Sequence, residues 1–106
     1  MAKRTISLFP PERRLARELG IRLRQARKRR RMTMEELGAR VGVAPNTLSK
    51  LETGDFTVSF ATVLRVLHVL GLSEDLNLLA AQDPQGRSIQ DSAQVAPPRG
   101  RAASKR

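Results

Sequence analysis

The chain has 106 residues, 20 Lys and Arg against 10 Asp and Glu, and no cysteine. That length supports one domain with a modest core, and the missing thiols exclude disulfides, thiolate metal centres and cysteine nucleophiles. The longest apolar stretch, 66–72, is too short for a bilayer and Met1-Ala2-Lys3-Arg4 lacks the apolar core of a secretory signal, so a soluble, cytoplasmic protein without a membrane role is expected.

Residues 1–10 read as a flexible N-terminus, with Pro10-Pro11 offering a rigid helix start. From Glu12 to about Arg31, Leu15, Leu19, Leu23 and Ala26 recur at helical spacing and predict one apolar stripe, with arginines on the remaining faces. Gly20 weakens this helix by on the order of 1 kcal/mol against Ala. The charge concentrates here: residues 1–31 hold twelve Lys and Arg and two Glu, whereas 32–82 hold three and six acidic residues. A basic helix beside a near-neutral body is the footprint of a polyanion binder, or else a solvated basic face.

Thr33-Met34-Glu35-Glu36 is a capping box that opens a second helix, whose apolar positions are Met34, Leu37, Gly38 and Val41 and whose stop is Gly42. Pro45 starts a third helix, buried through Leu48 and Leu51 and ended by Gly54. Two short helices joined by a tight turn containing glycine make a helix-turn-helix, about 33–54. Ser59 caps a fourth helix, Phe60 to Leu70, with Phe60, Val63, Leu64 and Leu67 predicted inward. Ser73 caps a fifth, from Glu74 to about Gln82. From Asp83 the pattern dissolves into turn chemistry, so 83–106 is expected to be a disordered basic tail, either solubilising or gripping a partner. The expected fold is all-α: five helices in one domain at 11–82, followed by that tail.

The residues Leu37, Gly38, Val41 to Val43, Asn46 to Glu52 and Gly54, continued by the run from Val58 to Leu72, resemble the phage-repressor (XRE-type) helix-turn-helix superfamily. The resemblance implies a repressor-like domain that sets the start of its third helix into the major groove of duplex DNA. With Leu48 and Leu51 as anchors, Pro45, Asn46 and Lys50 are the expected base-reading residues: Asn46 for adenine, Lys50 for guanine or phosphate, Pro45 for a thymine methyl. Thr47 and Ser49 are expected on phosphate. The same side chains can instead support the helix's first turn or stand solvated. Family members often carry Gln where Met34 stands, and Met34 cannot donate. That leaves Thr33 with the backbone N–H groups of the second helix, and the cations Arg27, Lys28 and Arg31, as phosphate-binding candidates.

Within the superfamily the likeness is to HipB-type antitoxins, through the basic run 26–31, Leu51-Glu52-x-Gly54-Asp55 with Val58-Ser59, Leu70-Gly71-Leu72 before Asp75-Leu76, and the segment 83–87. That resemblance implies a homodimer that represses its own operon at a palindromic operator and binds a HipA-type kinase toxin. A stand-alone regulator without a toxin and a bridging or non-specific nucleic-acid-binding protein are the alternatives. Val66, Val69, Leu76 and Leu79 exceed what a single inward stripe needs and are dimer candidates, with core as the competing role. His68, the one histidine, has no partner at metal-ligand spacing. Capping accounts for Glu35 and Glu36, so no catalytic residue, metal or cofactor is expected.

Overall fold

A computed structural model describes residues 6–93, and among them helices are the only regular elements: α1 (Pro10–Arg29), α2 (Met34–Val41), α3 (Pro45–Glu52), α4 (Phe60–Leu70), a 3-10 helix (Ser73–Leu78) and α5 (Pro84–Ala93). The chain divides into two compact units, Met1–Ser73 and Glu74–Arg106. The all-α expectation holds. The expected domain at 11–82 is divided at Ser73, and the expectations for 1–5 and 94–106 lie outside the described residues.

In the first unit α3 packs against both α1 and α2, and α4 packs against α2. Ten buried apolar side chains form the core: Leu23 and Ala26 from α1, Leu37 and Val41 from α2, Leu48 and Leu51 from α3, and Val63, Val66, Leu67 and Leu70 from α4. Each fully buried Leu or Val stabilises the fold by roughly 1.5–3 kcal/mol. Two of the inward expectations fail. Phe60 is 61% exposed and Leu15 55% exposed. Phe60 is the first residue of α4, whose buried residues begin at Val63. Leu15 belongs to the start of α1, where every residue from Phe9 to Leu15 is exposed, so its stripe runs past the body it should cover.

Gly20 belongs to the core for a reason that helix propensity does not contain. A Cβ there would lie 2.5 Å from the Glu52 carbonyl oxygen and 2.8 Å from that of Leu51, so α1 and α3 touch backbone to backbone. The end of α1 is a Schellman closure, with Met32 N–H on the Arg27 carbonyl and Arg31 N–H on that of Lys28. Arg31 takes the left-handed position usually given to glycine, at φ 55°.

In the second unit the expected fifth helix is shorter and tighter, a 3-10 helix ending at Leu78, and Ala80 reverses the chain at φ 57°. The segment from Asp83 is not a tail at its start but α5. Asp83-Pro84-Gln85-Gly86 reads as a turn, yet the same residues cap a helix: the Asp83 carboxylate accepts from Gly86 N–H at 3.0 Å, and Pro84 occupies the first helical position, where it needs no N–H partner. Neither helix of this unit has a buried residue.

Candidate nucleic-acid interface

Three local features hold α3. At its start, α2 ends on Gly42 in the left-handed conformation (φ 92°), Ala44 is extended, and Pro45 opens α3. The helix-turn-helix spacing therefore follows from residues 42–45 alone. Along its inner face, Leu48 and Leu51 are almost fully buried. At its end, Thr53 donates through its hydroxyl to the Lys50 and Ser49 carbonyls, and Asp55 N–H closes on the Lys50 carbonyl at 2.8 Å.

The strongest tie was not foreseen. Arg27 of α1 and Glu52 of α3 are each 7% exposed and form a two-point ion pair, Nε to Oε2 at 2.7 Å and Nη2 to Oε1 at 3.0 Å. Arg27 Nη1 also donates to the Met32 carbonyl at 2.8 Å, so one guanidinium joins α1, the α1–α2 link and α3. The hydrogen bonds it donates to Glu52 hold the guanidinium above its ordinary pKa against the opposing cost of burial. Arg27 is thus corrected from phosphate-binding cation to structural clamp, because its donors are committed inside the protein. The sequence held the signal: Arg27 follows core Leu23 by four residues, and Glu52 follows core Leu48 by four. Each charge therefore stands on a buried face, where it needs a partner.

The other expected residues fall as follows. Pro45, Asn46 and Lys50 are exposed on α3, and Thr47 and Ser49 are half-buried. Thr33 is exposed at the start of α2, where its Oγ accepts from Glu36 N–H at 3.0 Å and its N–H donates to Glu36 Oε1 at 2.8 Å. Its hydroxyl proton stays free to donate. Lys28 and Arg31 are exposed. Thr53, exposed one turn beyond Lys50, joins the same face and was not singled out. Asp55 follows it, its carboxyl held below the usual carboxylate value by hydrogen bonds from the side chain and backbone N–H of Thr57.

Of the dimer candidates, Val66 is corrected to core at 1% exposure, since it belongs to the buried face of α4 with Val63, Leu67 and Leu70. Val69 and Leu76 are half-buried and Leu79 is exposed. His68 is exposed. Among the described residues no three His, Cys, Asp or Glu side chains come together, and no helix is long and apolar enough to cross a membrane.

The sequence pattern of the family described as "Helix-turn-helix domain" matches residues 18–79, spanning α2, the turn and α3 just described. The chain belongs to that helix-turn-helix family. Comparison with curated proteins gives no match. The family is a DNA-binding one and typically non-enzymatic. The start of α1 and all of α5 lie outside the matched residues.

Proposed function

We propose that this helix-turn-helix protein is a sequence-specific transcriptional repressor that binds duplex DNA as a homodimer at a palindromic operator before its own gene. The observation that carries the reading is the exposed pair Asn46 and Lys50 on a helix whose opposite face is locked by Leu48, Leu51 and the Arg27–Glu52 clamp. A rigid helix presenting an amide and an ammonium to solvent suits major-groove readout: Asn46 to the adenine edge, Lys50 to guanine or phosphate, Pro45 against a thymine methyl. Thr33, Thr47 and Ser49 take phosphates, and Lys28 and Arg31 add attraction at longer range. Two α3 helices of a dimer would enter half-sites about 34 Å apart.

The likeness of 51–59 and 70–76 to HipB-type antitoxins supports a further assignment, as the partner of a HipA-type kinase toxin. Co-expression with the neighbouring gene separates the two regulators. A co-purifying kinase supports the antitoxin, and its absence leaves a stand-alone repressor.

Binding to the chain's own upstream DNA, measured beside a shuffled duplex at physiological salt, tests the core of the proposal. A preference of about a thousandfold is expected. Asn46→Ala should cut that preference by about tenfold or more while changing shuffled-duplex affinity little, because a base contact specifies whereas a phosphate contact positions. Equal losses on both duplexes would remove Asn46 from base reading.

A further inference from the structure

Helix α1 carries seven exposed cations, and four of them share one strip. At about 100° per residue, Arg13, Arg17, Arg24 and Lys28 lie roughly 20–80° around the helix from Gly20, and core Leu23 and Ala26 roughly 60–120° the other way. No acid of α1 stands in the strip: Glu18 pairs with Arg14 on another side, and Glu12 accepts from Phe9 N–H at the helix start. Among the described residues none of the four is ion-paired, although Arg13–Arg17 and Arg24–Lys28 are like charges one turn apart. Arg13 gives one donor to the Leu8 carbonyl at 2.8 Å, which leaves Arg17, Arg24 and Lys28 as the strip's uncommitted cations.

The contact between α1 and α3 fixes where this strip faces. Gly20 meets the backbone of Leu51 and Glu52, and Arg17 Cα lies 2.8 Å from where a Cβ on Gly54 would stand, just past the end of α3. Counted from Glu52, core Leu48 and Leu51 lie roughly 40–100° to one side of α3, and Ser49, Thr53 and Asn46 roughly 60–120° to the other. On both helices the line of contact separates the shared core from an exposed flank. The α1 strip and the outer edge of α3 therefore form one continuous face on the side away from the core. Packed helix axes stand about 8–10 Å apart, and the major groove is about 12 Å wide. With α3 in the groove, α1 stands over its edge, where the phosphates run.

The geometry points to a sequence-independent DNA-backbone contact on α1, made by Arg17 and Arg24 beside Lys28, that extends the α3 footprint on the same duplex. Arg17 to Lys28 spans about 16 Å of helix. Arg17 precedes the residues 18–79 matched by the family pattern, so this end of the contact is a feature of the chain and not of that pattern. The inference rests on the proposed reading of α3 as the helix that enters the groove.

Binding of the full-length protein to its upstream duplex and to a shuffled duplex, titrated with salt, tests the contact. Arg17→Gln with Arg24→Gln should weaken binding to both duplexes about tenfold or more and by similar factors, leaving the preference between them unchanged. The log–log salt slope should flatten by about two units per protomer. Arg22→Gln with Arg29→Gln removes the same charge from a side of α1 roughly 160–180° from Gly20, and should change either affinity less than about threefold. Melting temperatures of both variants should stay close to wild type, since the four side chains are exposed. Equal losses from the two pairs would assign the effect to net charge, and no loss from Arg17 and Arg24 would make the strip a solvated face. Either outcome overturns the inference. Equal binding of both duplexes by the wild-type chain overturns the operator reading alone, because the two variants compared on the shuffled duplex still decide the strip.

Discussion

Arg27 and Glu52 show how a residue's role follows from its register as much as from its type. Ten of the cations before residue 32 lie among the described residues, and nine of them differ from Arg27 in one respect that composition does not carry: Arg27 alone is buried and meets a carboxylate there. A buried pair of this kind contributes little net stability over an apolar pair of equal volume, but breaking it is costly. Glu52→Ala, which strands a guanidinium inside the protein, should destabilise the domain by about 3–5 kcal/mol in urea unfolding. Replacing both members, Arg27→Met with Glu52→Leu, should restore most of that loss. A double variant as unstable as the single one would show that the two charges do not act as a unit. The same clamp sets the far end of α3, so operator affinity should follow the stability losses only where the helix itself shifts.

At the scale of elements, the capping and turn signals identify where helices begin, and packing decides what each face does. Thr33, Gly42, Pro45, Ser59 and Gly71 stand where their chemistry places them: two side-chain caps, two left-handed stops and one helix start. Gly20 carries the opposite lesson. Helix propensity favours Gly20→Ala by about 1 kcal/mol. The added Cβ would press on two backbone carbonyls of α3, and backbone yields less readily than the end of a side chain. Gly20→Ala is therefore expected to lower stability by about 1–3 kcal/mol in thermal or urea unfolding, reversing the propensity rule. A stabilised variant would mean that α1 and α3 can separate at no cost. Asp83 and Pro84 mark the limit of turn reading, because an Asp-Pro pair opens a turn and a helix by the same hydrogen bond.

At the scale of the molecule, the two units differ in what they bury. The first holds every buried side chain among the described residues, whereas the second holds none and exposes Leu78, Leu79 and Ile89. Apolar residues left outside a core are the usual material of a contact between subunits. Leu79, 62% exposed, is the expected dimer residue that the structure leaves most available. Leu79→Glu should weaken self-association about tenfold or more in sedimentation equilibrium and leave the unfolding midpoint of the first unit unchanged. Unaltered self-association would move the dimer contact to another surface. A monomeric variant should also lose the advantage of a palindrome over a single half-site, which ties the assembly to the operator reading.

The first four helices, the helix-turn-helix spacing and the exposed edge of α3 were legible in the sequence because each depends on neighbours within a few residues: a cap on its third N–H, a stop on a positive φ, a face on 3.6-residue periodicity. The sequence also placed the densest run of basic charge on and just after α1, since charge is counted without knowing the fold. Only the tertiary structure decided which of those cations is buried, why Gly20 is a close approach and no defect, and that Val66 is core while Phe60 and Leu15 are not. These are properties of pairs far apart in the chain. Periodicity tells a residue which side of its own helix it occupies, and only the packing of that helix against another determines what lies there.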